Sequence, residues 1–370
     1  MAVKLDCAFK FGAGRYIQQP NAIEIAGQEI RRFGRKAFII GGPTAISVVK
    51  KKLTISLCNA DVIHEYHVYP GYNTLENANK FAAYCKDHSF DVVVGVGGGR
   101  IMDIAKAIAH IAELPVVNIP TQAATCAAYT PMSVEYTDEG AAFGTEGGNF
   151  YHLFEVSAVI VDETIMIYQP PRYVASGILD AMAKYIEIQH GHSQMRFEDF
   201  SIEVYTAYEI AKYTYGILKD NSLKIYNDVK EHKLTKEVHD FLFINFALTS
   251  LISGISKALG QTALAHEMYY VARMYFTNEA KDFLHGEIVG MALILQLYYN
   301  ETPEKIPEFT EFMKAMEMPT TLSEIGIPET NDNIETIYNY LRSTLFFEDS
   351  EHNRKKLQES IDAICSGHMK

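Results

Sequence analysis

Up to about residue 165, short apolar runs alternate with segments of helical periodicity. The runs KAFIIGG, VIHEYHVYPG, DVVVGVGGG, LPVVNIPT and VSAVIVDE have the length and β-branched content of strands. Between them, TAISVVKKKL, TLENANKFAAYCKDH and IMDIAKAIAHIAE repeat apolar positions every three to four residues, as amphipathic helices do. Strands joined by crossover helices pair in parallel, so this half predicts an α/β unit with a mostly parallel sheet. The pattern changes at Gln169-Pro170-Pro171, after which RYVASGILDAMAKYIEIQ, EVHDFLFINFALTSLISGISKALG and GEIVGMALILQLYYN all read at helical spacing. Proline steers the preceding residue away from the helical region, which places a boundary near residue 168. The expected organisation is an α/β domain over residues 1–168 and an all-helical domain over 169–370. A chain of 370 residues is longer than the roughly 250 to 300 at which single cores stop growing. The sequence has no internal repeat and no low-complexity segment.

Composition narrows the classes. Hydrophobic residues at 48% and charged residues at 21% are ordinary for a globular protein. A formal charge of -13 opposes nucleic acid as a partner, because backbone phosphates are bound by clustered Lys and Arg. The opening MAVKLDCAFKFGAGRYIQQP lacks the apolar core of a signal peptide, and no run reaches about 18 consecutive apolar residues. A cytoplasmic protein with no membrane partner is expected. Five cysteines (Cys7, Cys58, Cys85, Cys126 and Cys365) are scattered and never form CxxC, which fits a reducing compartment and excludes a cysteine-based zinc site.

Two segments of the first half carry candidate chemistry. Gly95, Gly97, Gly98 and Gly99 follow the run Val92 to Val94, with Asp103 in the first turn of the next helix. The turn departs from GxGxxG, since Arg100 fills the sixth position and the turn follows the third predicted strand. Its glycines still let backbone N–H groups approach a diphosphate at a helix N-terminus. A tight strand-to-helix connection that binds nothing is the alternative. Further on, Ile119 to Ser133 is a string of small and hydroxyl residues leaving the C-terminal end of a strand, where open α/β sheets bind ligands. It reads as a pocket wall, or as a buried loop whose hydroxyls satisfy their own backbone.

In the second half, Asp180, His266 and His285 are ligand types for a catalytic metal with an open position. Spacing alone leaves other readings open. Asp180, Lys184 and Glu187 fall on one helix face at i, i+4 and i+7, the pattern of a solvated stripe. His266 has Ala263 and Tyr270 as helical neighbours, like a satisfied core histidine. His285 precedes Gly286-Glu287 and an apolar helix, and a helix N-terminus favours the neutral imidazole that metals require. The nineteen-residue separation of the two histidines matches no short zinc motif.

GVGGGRIMDIAKAIA, PTQAATCAAYTPMSVEYTDEG, GILDAMAKYIE, ALAHEMYY and FLHGE, in this order, resemble the glycerol dehydrogenase branch of the iron-containing alcohol dehydrogenase family. The resemblance runs from about residue 35 to 300. It implies an N-terminal Rossmann-like parallel-sheet domain and a C-terminal all-helical domain, the dehydroquinate synthase-like fold, with metal and nicotinamide meeting in the cleft between them. It implies Asp180, His266 and His285 as ligands of one divalent metal and as the catalytic centre. It gives Gly98, Gly99, Arg100 and Asp103 to the pyrophosphate turn, and Thr121, Thr125, Thr130, Met132 and Tyr136 to the cofactor wall.

Departures from that branch bear on specificity. Cys126 stands where glycerol dehydrogenases carry an aspartate that meets the substrate hydroxyls. The loop TCAAYTP, Lys184 and the run Pro319 to Leu322 are closer to hydroxycarboxylate dehydrogenase relatives, which reduce 2-oxo acids. Removing a fixed carboxylate removes like-charge repulsion against a substrate carboxylate. Tyr269 and Tyr270 replace a second histidine and an asparagine often found in the family, so Cys126, Lys184 and Tyr270 are the candidate substrate-side residues. Gly41-Gly42-Pro43 follows the first predicted strand in place of an acid, leaving Gly42 and Pro43 at the ribose end and both NAD and NADP open.

The expected function is metal-dependent, NAD(P)-linked interconversion of a small alcohol, a 2-hydroxy acid or a polyol, with its carbonyl. Zinc is the expected metal and ferrous iron the alternative. Glu287 and Lys184 are candidates for roles behind the ligands or beside the substrate. The rivals are glycerol dehydrogenase proper, a dehydroquinate-synthase-like cyclase, a noncatalytic nucleotide-binding protein and a non-haem iron oxygenase. The long helical half makes a homo-oligomer the expected assembly.

Overall fold

The computed structural model describes residues 9–144, 148–257 and 259–366. Six strands form one sheet in the order β1-β8-β5-β4-β2-β3, every neighbouring pair parallel. They are β1 (Tyr16–Gln19), β2 (Lys36–Gly41), β3 (Ile63–Val68), β4 (Val92–Gly97), β5 (Val116–Pro120) and β8 (Ala158–Asp162). β6 (Met132–Val134) and β7 (Asn149–Tyr151) make a separate antiparallel hairpin. The five predicted strands are all present. The periodicity missed β1 and the hairpin, and β1 makes the glycine turn follow the fourth strand rather than the third.

Burial explains the run types. β4 is buried along its whole length between β2 and β5 and reads as a continuous apolar run, whereas the edge strand β3 leaves Ile63 and Val68 exposed. Four helices belong to the sheet: α1 (Ala26–Arg31), α2 (Pro43–Asn59), α3 (Leu75–Asp87) and α4 (Gly99–Ala112). α2 leaves β2 through Gly42-Pro43, and α4 leaves β4 through Gly98. After β2 the chain moves outward to β3, then returns to the other side of β2 for β4, β5 and β8. The strand order therefore reverses between β2 and β4, and their carboxyl ends open the crevice where doubly wound sheets take ligands.

From Pro171 onward the described residues are helical or irregular, with no strand. The helices are α5 (Pro171–Ile188), α6 (Ile202–Lys230), α7 (Lys236–Phe243), α8 (Thr249–Ile255), α9 (Leu264–Tyr275), α10 (His285–Tyr299), α11 (Ile306–Ala315), α12 (Asn331–Ser343) and α13 (Glu351–Asp362). α10 is buried on nearly every face and packs against α5, α9 and α13. The segment Lys236–Ile255 is long and apolar enough to cross a membrane by length and composition, and 61% of its 18-residue apolar window is buried against the protein. Cys58, Cys85, Cys126 and Cys365 are free thiols, and Cys7 lies outside the described residues.

Candidate active site

Close helix packing brings the three ligand types together. A Cβ on Gly286 would lie 1.9 Å from the Ser176 carbonyl oxygen, so only glycine lets the first turn of α10 reach α5. Gly286 N–H also donates to Ser176 Oγ at 3.1 Å. His285, the first residue of α10, thereby comes within reach of Asp180, one turn along α5 from Ser176. Asp180 Oδ1 is 3.5 Å from the Nε2 of both His266 and His285. One donor atom from each of the three lies within 4.8 Å of the others. A tetrahedral centre with bonds of about 2.1 Å has edges of about 3.4 Å, so this donor set fits a divalent metal.

The stripe Asp180, Lys184, Glu187 is not solvated: all three side chains are buried. Lys184 Nζ donates to His266 Nε2 at 3.2 Å and stands 3.8 Å from Asp180 Oδ1. Glu187 accepts from His266 Nδ1 through Oε2, while its Oε1 accepts the backbone N–H groups of His266 at 2.9 Å and Ala263 at 2.8 Å. The contact fixes the ring orientation and turns Nε2 toward Asp180. Burial would raise the pKa of Asp180, but Lys184 and the hydrogen bonds from both histidines hold it well below the usual carboxylate range. Burial pushes His285 down against the pull of Asp180, whereas in His266 burial is overcome by the charge of Glu187 together with the hydrogen bonds to Asp180 and Glu187, and the net shift is upward.

Glu287 lies one turn from the ligands but serves α10 itself. It accepts Leu284 N–H at 2.7 Å and pairs with Arg172 Nε and Nη2 at 2.5 and 2.6 Å. The expected role beside the ligands belongs to Glu187.

This centre and the wall of small residues border one cleft of about 800 Å³. The cleft is lined by Gly42, Pro43, Gly98, Gly99, Arg100, Asp103, Thr121, Thr125, Thr130, Met132 and Tyr136 on the sheet side, and by Lys184 and Tyr270 near the three ligands. Cys126 lines the same cleft, near enough to Asp180 and Lys184 to feel both charges. The structure thus brings every candidate residue to one cavity. A Cβ on Gly98 would fall 1.7 Å from Gln122 Nε2, so a side chain there would push the Gln122 amide aside. Arg100 is exposed, its guanidinium carbon 4.8 Å from the Tyr72 ring centroid. Asp103 borders the cleft, but its carboxylate is engaged by Lys106 Nζ at 3.0 Å and by Val134 N–H at 3.4 Å.

The wall is fastened through its backbone. Lys106 Nζ donates to the carbonyls of Ala127 at 2.8 Å, Thr130 at 3.0 Å and Met132. Asn118 holds the Ala128 carbonyl at 2.8 Å, and Gln169 accepts Ala123 N–H at 2.6 Å. From the helical half, Asn245 donates to Thr125 O at 3.2 Å and Ser250 to Cys126 O at 3.3 Å. Asn245 belongs to a π-helical turn, Ile244–Leu248, the local widening that lets a side chain leave a helix at such sites. Cys126 Sγ accepts from Thr130 Oγ1 at 3.3 Å, and burial and the charge of Asp180 raise its pKa, so it is a neutral thiol. Sequence reasoning missed Glu187, Lys106 and Asn245 as site-building residues. Their signal was a polar side chain inside an otherwise apolar helical segment.

The family profile described as iron-containing alcohol dehydrogenase matches residues 13–162. The glycerol dehydrogenase of Thermotoga maritima is 29% identical over 323 residues, 86% of this chain and 85% of the relative. Hydroxycarboxylate dehydrogenase A of Escherichia coli is 28% identical over 298 residues, 80% of this chain and 79% of the relative. The crystal structure of a probable glycerol dehydrogenase from Sinorhizobium meliloti superposes with a TM-score of 0.82 at 20% identity, covering 96% of this chain and 97% of that one. Fold, site and relatives together define an alcohol oxidoreductase of the metal-dependent kind. Residues 13–162 match the iron-containing alcohol dehydrogenase profile, and most of the chain is similar to glycerol and hydroxycarboxylate dehydrogenases.

Proposed function

We propose that the chain interconverts a small 2-hydroxy acid and its 2-oxo acid by hydride exchange with NAD or NADP, using one divalent metal. The reading divides the chain near residue 168, with the cofactor on 1–168 and the metal on 169–370. The observation that carries it is the meeting of Asp180, His266 and His285 in the same cleft that the glycine turn and Cys126 line. Those three residues would hold the metal, zinc or ferrous iron, which when bound supplies a Lewis acid toward the substrate oxygen. Lys184, whose Nζ lies 3.2 Å from His266 Nε2, would stand beside that centre as a proton carrier. Thr121, Thr125, Thr130, Met132 and Tyr136 would seat the nicotinamide half, and the N-termini of α2 and α4 the diphosphate. A neutral Cys126 leaves room and no repulsion for a substrate carboxylate. A cytoplasmic, self-associating enzyme belongs to the same reading.

NAD(P)H oxidation by zinc-loaded protein tests it, comparing 2-oxobutyrate and 2-oxoglutarate with dihydroxyacetone. Turnover of the oxo acids that vanishes in His285→Ala is the expected result. Turnover of dihydroxyacetone alone would return the chain to the polyol dehydrogenases.

A further inference from the structure

On α9, Arg273 follows His266 by two helical turns and lies on the same face, at i+7. Side chains lean toward the N-terminus of their helix, which carries this one toward the ligands. It is 7% exposed and lines the cleft. Its Nη2 donates to Phe283 O at 3.2 Å, while Nε and Nη1 have no hydrogen-bond partner among the described residues. No carboxylate pairs with it among them either. Its guanidinium carbon is 5.7 Å from the Tyr269 ring centroid, and that ring is 4.3 Å from the ring of His285. The guanidinium therefore borders the metal side of the cleft.

A buried cation without a counter-ion is strongly unfavourable, and arginine's planar fork matches an oxyanion. Two anions can enter this cleft, a substrate carboxylate and the cofactor diphosphate. The second has its own cradle of backbone N–H groups at Gly98 and Gly99, whereas the guanidinium stands beside the Tyr269 ring next to His285. We propose that Arg273 anchors the substrate carboxylate and so sets the preference for 2-oxo and 2-hydroxy acids over neutral polyols. The inference rests on the metal-site reading above and adds the residue that selects the substrate.

Zinc-loaded wild type, Arg273→Met and Arg273→Lys are compared for kcat and KM on 2-oxobutyrate and dihydroxyacetone, with the NADH dissociation constant measured by fluorescence and melting followed in parallel. Arg273→Met should lose about 100-fold in kcat/KM on the oxo acid, mostly in KM, and less than about threefold on dihydroxyacetone, with NADH affinity unchanged. Arg273→Lys should fall between. A purely structural role, through the Phe283 carbonyl, would lower both substrates equally and overturns the proposal. Weakened NADH binding with an unchanged acid-to-neutral ratio overturns it in favour of the diphosphate. Should Arg273→Met not fold, the acid-to-neutral ratio of Arg273→Lys decides: an unchanged ratio overturns it. A wild type that reduces dihydroxyacetone alone overturns this inference and leaves the oxidoreductase reading standing. A wild type that reduces no carbonyl overturns both.

Discussion

Glu187 holds His266 at two points, taking the Nδ1 proton with one carboxylate oxygen and the backbone N–H with the other at 2.9 Å. Ring orientation and helix position are thereby fixed by a single side chain that is not one of the three candidate ligands. Glu187→Gln preserves the shape and removes the charge. Zinc affinity should fall about 10- to 100-fold, read by competition with a chromophoric chelator. An unchanged affinity would mean that packing alone orients the imidazole.

Gly286→Ala tests the helix contact that delivers His285. The added methyl meets a backbone carbonyl at 1.9 Å, so α10 must move away from α5. A loss of roughly 2 to 3 kcal/mol in chemical denaturation is expected, together with weaker zinc binding. Stability lost with zinc affinity intact would separate the packing from the site.

Cys126→Asp places a fixed carboxylate near Asp180. Like-charge repulsion should lower kcat/KM for 2-oxobutyrate at least tenfold and raise the relative rate on dihydroxyacetone. Steady-state kinetics on the two substrates checks this. Equal effects on both would show that position 126 does not sense substrate charge.

His152 gives the pH dependence. It is buried beside Ser133 Oγ at 2.7 Å, and burial, with the charge of Lys106, holds its pKa well below the ordinary 6.5. The folded state thus favours the neutral ring. Its stabilising contribution is complete above about pH 6.5 and declines as pH falls below that value toward the folded pKa, by up to about 1.4 kcal/mol per unit. Urea denaturation at pH 7.5 and 5.5 should show the drop in wild type and a smaller one in His152→Gln. Equal slopes would assign the acid sensitivity elsewhere.

The parallel sheet was legible because buried central strands such as β4 need uninterrupted β-branched residues, and the helical half because its apolar spacing is long and regular. β1 was not: Tyr-Ile-Gln-Gln is short and half-polar, and becomes a strand only by pairing with β8. Asp180, Lys184 and Glu187 misled for a different reason. Spacing reports which residues share a face, not whether another helix covers that face, and α5 is surrounded, with Ile178, Leu179, Met182 and Ile186 buried on its other sides. Arg273 was silent because a lone arginine near a helix C-terminus is ordinarily a favourable surface charge. Only its two idle nitrogens distinguish it.

The small-residue wall is held through carbonyls and N–H groups by Lys106, Asn118, Gln169, Asn245 and Ser250, so its course does not depend on which side chains it displays toward the cleft. An ancestor with this scaffold could exchange the residue at 126 without rebuilding the loop. What the cleft displays at 126 and what holds the loop in place are therefore separate parts of the structure.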